Sequence, residues 1–317
     1  MRMRKHFATG AAMAAAATMV LTACGGGSSA SPSTSSSSSD SGAPKGTITV
    51  GSAYETTDYG PITTSALGIG ADWQVLEGLY RFDMSDYSVT PALAAGDPVK
   101  VSDTKYEITL RDGAKFSDGT DVKAADVVSS YERTTDEKSI YRQFFTFVDS
   151  VEAKDDKTVT ITLKHPFAAL KERFVNVRVV PSSMSADELK SKPIGSGPYK
   201  FDNISATEVT AVPNEHYNGK IPAKAATLKW SVLKDDSARL AAALGNSIDI
   251  MEAVPADAAD KLKAASWSVD SKPGYGNPFM MFNTQKAPFD KPEVRRAFLK
   301  AIDKQKLVSS ALRGQAV

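Results

Sequence analysis

The sequence contains few of the residues on which metal binding and covalent chemistry depend. Cysteine occurs once in 317 residues, at Cys24, and histidine only three times. A single thiol can form neither an intramolecular disulfide nor a thiolate zinc site. His165 and His216, the two histidines beyond residue 24, have no Cys or His neighbour at the spacing of metal ligands. The sequence therefore predicts no metal site.

Motifs of common enzyme classes are missing as well. Ser196 lies in a Gly-Ser-Gly-Pro stretch and not in the Gly-x-Ser-x-Gly elbow of a hydrolase. The Gly-x-Gly pairs at 68–70 and 274–276 do not continue into a dinucleotide fingerprint, and no phosphate-binding loop is present. The net charge of +1 gives no basic excess for nucleic acid. We expect a non-catalytic protein with no cofactor and no nucleic-acid partner.

The N-terminus has the pattern of a secretory signal. Arg2, Arg4 and Lys5 precede an apolar run over residues 11–21, which is too short for a permanent membrane span. The run ends in Leu-Thr-Ala-Cys, which resembles the bacterial lipobox. This resemblance implies that residues 1–23 are removed and that Cys24 carries the lipid. The alternative is ordinary cleavage near Ala23, which would leave Cys24 as a free thiol.

A Ser-rich segment follows the cysteine. Residues 28–42 are nearly all Ser with Ala, Pro, Thr, Asp and Gly, and they cannot bury enough apolar surface to offset their ordering entropy. Residues 24–45 are therefore predicted to be a lipidated, disordered tether. Removal of residues 1–23 would take away three of the 38 basic residues and none of the 37 acidic ones, which leaves a net charge of −2.

The remainder reads as a mixed α/β fold. Residues 47–50, 105–111, 148–154 and 158–163 have the alternation of half-buried strands, which favours antiparallel pairing, with a turn at Asp155-Asp156. Apolar residues at helical spacing predict helices over 237–244, 255–265, 292–302 and from Ala124 onward. On the helix that begins at Ala124, Asp126 is expected to face away from the core.

Five segments together resemble the extracellular solute-binding proteins of family 5, the peptide/nickel class that serves ABC importers. These segments are residues 76–83 (LEGLYRFD), 106–119 (YEITLRDGAKFSDG), 193–201 (PIGSGPYKF), 237–240 (SARL) and 282–290 (FNTQKAPFD). Each is weak alone, since the second could be simply a well-formed hairpin. Their common order along the chain is what identifies the family.

The resemblance implies a periplasmic-binding-protein-like fold of type II with two lobes and a hinge. Lobe one would span 46–280, with an inserted subdomain at about 61–190. Residues 281–317 would begin lobe two, and Phe282 and Asn283 would lie at the hinge. Most of lobe two would then be missing, so the chain is expected to be C-terminally incomplete.

The resemblance also implies where the solute is held. Tyr54 and Glu55 follow the first strand, where family members approach the ligand, although a plain surface loop is the alternative. Trp73 is a candidate cleft wall or else a core aromatic. Tyr275 and Asn277 are placed near the hinge by the same analogy, or merely in a turn. The partners that fix a peptide's terminal charges are implied to lie mostly in lobe two.

We therefore expect a monomeric, extracytoplasmic, lipid-anchored receptor that passes oligopeptides or dipeptides to an ABC permease and its ATPase subunits. Nickel chelates, haem, oligosaccharides and opine-like compounds are alternative cargoes within the family. Outside the family, the alternatives are a secreted lipoprotein enzyme and a surface adhesion protein.

Overall fold

The computed structural model describes residues 43–83, 85–270 and 279–314. They belong to a compact unit, Ala43–Val317, distinct from Met1–Gly42. Cys24 and most of the predicted tether lie outside the described residues, as do Tyr275 and Asn277. Within the described ranges, no helix is long and apolar enough to cross a membrane.

A five-stranded mixed sheet organises the larger part of the fold. Its strands follow one another in the order β11-β1-β10-β9-β8. The strands are β1 (Thr47–Ser52), β8 (Tyr199–Ile204), β9 (Glu208–Pro213), β10 (Thr227–Val232) and β11 (Ile250–Met251). β1 runs parallel to both β10 and β11, whereas β10, β9 and β8 are antiparallel. Helix α1 (Ala66–Val75) packs on this sheet through Leu67, Ala71 and Val75.

A second, four-stranded sheet is antiparallel throughout, as the alternating sequences predict. Its strand order is β4-β5-β7-β6. Strands β2 and β3, which precede it in the chain, form a separate two-stranded sheet. These strands are β2 (Tyr80–Phe82), β3 (Val89–Pro91), β4 (Val99–Ser102), β5 (Lys105–Thr109), β6 (Val148–Ala153) and β7 (Thr158–Leu163). The core on this sheet is formed by residues 79–179, whereas residues before and after that range build the core of the first sheet.

Four short helical elements complete this part of the fold. They are α2 (Ala124–Thr134), a 3₁₀ helix (Ile140–Phe145), α3 (Leu170–Phe174) and α4 (Ala186–Ser191). The expectation that Asp126 faces solvent on α2 is wrong. Its side chain is buried, and the carboxylate accepts hydrogen bonds from the Lys123 N–H at 2.9 Å and the Ser182 N–H at 2.8 Å, which compensate its burial. Asp126 thus caps its own helix and ties a distant loop to it.

The two predicted helices after β10 are present. α5 spans Asp236–Leu244. Asp235 caps its N-terminus by accepting the Ala238 N–H, and Gly245 caps its C-terminus. α6 covers only Ala259–Ala264, shorter than the predicted 255–265, because residues 255–258 form a turn in which the Ala258 N–H bonds the Pro255 carbonyl.

Residues 279–314 form a small helical segment with α7 (Pro292–Ala301), α8 (Lys304–Lys306) and a π-helical turn (Leu307–Ala311). None of these helices buries a residue. Phe282, Phe289 and Phe298 pack against one another with ring centroids 5.1–5.7 Å apart. This aromatic contact holds the segment's own turns together.

Candidate ligand-binding site

The carboxyl edge of the parallel strands is the best candidate site. Because β1, β10 and β11 run in the same direction, the segments that follow them emerge at one edge of the sheet. Ligands of open α/β sheets bind in the crevice outside such carboxyl ends. Here the edge is built from residues 53–55, 233–236 and 252–253.

A buried arginine fixes two of these three segments. Arg239 exposes 1% of its surface and lies on α5 directly behind the edge. Its guanidinium donates to the carbonyls of Leu233 and Lys234 at 2.7 and 2.9 Å, and to those of Glu252 and Ala253 at 3.2 Å each. It also pairs with the Asp236 carboxylate. One side chain thereby sets the separation of the two loops.

Ser52 and Glu252 link the third segment to the others. The fully buried Ser52 hydroxyl donates to Glu252 Oε2 at 2.8 Å, and the Ala53 N–H reaches the same oxygen at 3.4 Å. The carboxylate is thus held in place by the end of β1 while Glu252 itself stays half-buried. A negative group held in this way at the rim suits recognition of an ammonium or a hydroxyl group.

An open depression lies beside this carboxylate, between the sheet edge and the start of α1. Its volume is about 220 Å³. The lining residues are Val50, Ser52, Ala66, Leu67, Gly70, Trp230, Ile250 and Glu252. An apolar floor with one fixed polar rim is a common composition for a small-molecule site.

Tyr54 and Glu55 both lie on the segment that leaves β1 at this edge. Tyr54 is 47% exposed, and Glu55 is exposed and pairs with Lys234 at 2.9 Å. The Glu55 carbonyl also accepts the Ser65 hydroxyl at 3.4 Å, which connects the segment to the start of α1. The structure therefore brings these two predicted residues to the candidate site, and their contact with a solute stays a prediction.

Trp73 lies further along α1 and is half-buried. The Arg178 guanidinium carbon lies 4.8 Å from the centre of its ring. Burial lowers the pKa of Arg178 to about 10, an effect that the Asp72 carboxyl and Tyr141 partly oppose. Burial likewise raises the pKa of Asp72 well above its usual range, although Arg178 acts against the rise.

The predicted hinge residues lie in the 279–314 segment. Phe282 belongs to the three-phenylalanine contact, and the Asn283 side chain accepts the Gln285 N–H at 3.1 Å. Their role at a hinge stays a prediction, as does any role of Tyr275 and Asn277.

Sequence reasoning missed Glu252, Arg239 and Arg178, and it included Ser52 only as part of the segment 52–55 that the family resemblance implies is near the ligand. Arg239 was noted only within the SARL segment, and a buried arginine that bonds four carbonyls has no local pattern. Glu252 carries a weak signal in hindsight, since it immediately follows a short apolar strand at the end of a parallel pair.

Solved structures of periplasmic binding proteins resemble this fold. The binding protein AgaA with agropinic acid, from A. tumefacien R10, superimposes with a TM-score of 0.73 at 28% identity, over 85% of this chain and 56% of that one. The oligopeptide-binding protein AppA of Bacillus subtilis, in complex with a nonapeptide, has a TM-score of 0.73 at 23% identity, over 86% and 57%. The second likeness shows the fold alone.

Sequence comparison gives the family. Residues 88–317 match the middle part of the bacterial extracellular solute-binding proteins, family 5, and this chain belongs to that family. The glutathione-binding protein GsiB of Salmonella typhi is 29% identical over 284 residues, which cover 85% of this chain and 54% of that protein. The chain spans about half the length of the curated relatives it matches. The predicted α/β, periplasmic-binding-protein-like fold is confirmed.

Proposed function

We propose that this chain belongs to an extracytoplasmic receptor that captures oligopeptides or dipeptides and delivers them to an ABC permease with its ATPase subunits. The observation that carries the proposal is the carboxyl edge, where Ser52 and Glu252 line an open apolar depression and the exposed Tyr54 lies on the segment that leaves β1. Exposed main chain and a fixed carboxylate match what a peptide presents, namely amide groups and an ammonium terminus.

Peptide cargo is favoured over the alternatives by one relative. GsiB is named for glutathione, which is itself a modified tripeptide. The agropinic acid bound by AgaA is a different small acid, so opine-like solutes remain a second candidate with nickel chelates, haem and oligosaccharides behind them. Catalysis or adhesion would need a further site, because membership of a solute-binding family supplies neither.

Solute capture is tested by isothermal titration of the full chain, purified in mild detergent, with glutathione, trialanine, an opine and a nickel–histidine chelate. Binding of a peptide at micromolar affinity, with Glu252→Gln weakening it about tenfold or more, supports the proposal. Glu137→Gln, an exposed carboxylate on another surface, is the matched control. Tight binding of the chelate or the opine in place of both peptides contradicts the cargo assignment.

We also propose that Cys24 anchors the protein to the outer face of the cell membrane, as a monomer on its Ser-rich tether. Two or more acyl chains give stable anchoring, at about 0.8 kcal/mol per buried methylene. The test is detergent-phase partitioning and mass spectrometry of the N-terminal peptide for wild type and Cys24→Ser. Partitioning of both proteins into the aqueous phase would show that Cys24 is not lipidated.

A further inference from the structure

A buried polar cluster lies where α1 meets residues 177–180 and the 3₁₀ helix. We call it the Arg178 cluster: Tyr59, Asp72, Trp73, Tyr141 and Arg178. Asp72 exposes 3% of its surface, Tyr59 2% and Arg178 9%, while Trp73 and Tyr141 are half-buried. The Tyr141 hydroxyl donates to the Thr63 carbonyl at 3.2 Å, which places it beside the start of α1.

The cluster has unused hydrogen-bonding capacity. Asp72 Oδ1 and the Tyr59 hydroxyl are buried, and neither has a hydrogen-bond partner in the part of the chain that the structure describes. Among the described residues, no carboxylate oxygen lies within 4.0 Å of the Arg178 guanidinium. The neighbouring carboxylate of Glu77 is instead occupied by Arg111, which binds it in bidentate fashion at 2.8 and 2.9 Å.

Trp73 explains how Arg178 is positioned without an anion. Contact of the guanidinium carbon with the ring face is a cation–π interaction, which does not use the N–H donors, and no oxygen of the described residues accepts a hydrogen bond from the Arg178 side chain. A planar, pre-oriented fork of donors is the geometry that binds a carboxylate through two parallel hydrogen bonds. A desolvated cation without a close anion is costly, so such a group is usually completed by one.

The charge state of the Arg178 cluster also favours an anionic ligand. Even with its pKa lowered to about 10 by burial, Arg178 is protonated at neutral pH. Burial raises the pKa of Asp72 and so favours the uncharged carboxyl. Asp72 therefore compensates the positive charge only in part.

The cluster also lies close to the candidate site along α1. Ala66, Leu67 and Gly70 line the open depression, and Trp73 follows Gly70 by three residues, which is about 4.5 Å of helix rise. A solute of a few residues is long enough to extend from the depression to Trp73.

We propose that Arg178, held against Trp73, binds a carboxylate group of the solute. This inference rests on the proposed receptor function and narrows it to acidic solutes, with the free carboxylate bound by the first lobe itself. The Glu252 end of the depression would then face the opposite, cationic or hydroxylated end of the same molecule.

The test compares free acids with their blocked forms. The full chain in mild detergent is titrated with glutathione, glutathione diethyl ester, trialanine and trialanine amide, by calorimetry and by tryptophan fluorescence. We expect wild type to prefer a free acid over its blocked form by about tenfold or more. Arg178→Gln should abolish that preference, and Arg178→Lys should retain only part of it.

Two matched variants keep the experiment decisive. Arg173→Gln removes a neighbouring arginine that lies over the Phe144 ring, and it should leave the preference intact. Trp73→Phe should reduce but not remove the fluorescence change that accompanies binding, because the ring under Arg178 is lost while Trp230 still lines the depression. Thermal unfolding of each variant shows whether it is folded.

Each outcome has a definite meaning. If Arg178→Gln weakens the binding of free acids and of their blocked forms equally, Arg178 has only a structural role and the inference is wrong. If wild type binds both forms equally well, the inference is also wrong, while the receptor function stands. If wild type binds none of the four compounds, the proposed peptide receptor fails and takes this inference with it.

Discussion

Removal of the Arg239 side chain should loosen the carboxyl edge and destabilise the whole fold. Arg239→Met keeps most of the apolar stem but leaves the Leu233, Lys234, Glu252 and Ala253 carbonyls without their donor. No buried charge is left behind, because the partner carboxylate of Asp236 is exposed, and the loss comes from buried carbonyls without a donor, at about 1–3 kcal/mol. The two loops can partly regain water, so we expect a loss of free energy of unfolding within that range.

Urea denaturation followed by circular dichroism measures this loss, with Arg142→Met as the control at an exposed arginine. The control should change the free energy of unfolding by no more than about 0.5 kcal/mol. Solute affinity should fall together with stability in Arg239→Met, because the residue positions the loop that carries Glu252. A loss below about 1 kcal/mol, with unchanged affinity, would refute the view that Arg239 holds the edge together.

Three further substitutions test other parts of the structure. Asp72→Asn should become more stable relative to wild type as pH rises above about 4. The raised pKa of Asp72 means that the unfolded chain ionises this carboxyl near pH 4 while the folded protein still holds the proton, so wild type loses stability until the pH passes the raised pKa. Urea titrations at pH 4, 6 and 8 that show no trend would contradict this. Gly195→Ala should lower the free energy of unfolding by about 3 kcal/mol or prevent folding, since the added Cβ would lie 2.1 Å from the Val75 carbonyl oxygen of α1. Gly70→Ala, with open space around its Cβ, should leave the thermal unfolding temperature unchanged or raise it. Glu77→Gln should lower the free energy of unfolding in urea by about 3 kcal/mol, because the largely buried Arg111 loses its carboxylate and keeps only the Ala92 carbonyl and the Asn218 amide oxygen. Asp103→Asn, in an exposed pair, should change stability little, and equal losses would contradict the difference in burial.

Local patterns in the sequence predicted the elements whose stability is local. α5 begins where Asp235 can cap it, and the β5 sequence places the buried Ile108 between more exposed neighbours. Caps and alternation depend on neighbouring residues, so the sequence nearby contains them. β7 has no exposed residue, and its pairing with β5 joins distant parts of the chain such as Lys105 and Thr162, so alternation indicated antiparallel strands but not their partners.

Long-range contacts were the ones that the sequence could not predict. Nothing in residues 47–52 shows that β1 pairs with β10 in parallel, 180 residues away. The helical spacing of the apolar residues predicts that Asp126 faces solvent, but its partner Ser182 lies 56 residues further on. Arg178 and Trp73 are likewise far apart in sequence, so their stacking is visible only in three dimensions. Tyr54 and Glu55 lie at the carboxyl edge, and their contact with a solute stays a prediction.

The pairing of β1 with β10 and β11 also constrains the order in which the protein can fold. β1 is made early, yet its first partner begins at Thr227 and its second at Ile250. Closure of so long a loop is slow compared with formation of the hairpins over residues 99–163. We therefore expect the four-stranded sheet to fold first as a local unit, while the first strand stays unpaired until the chain has been made at least to Val232.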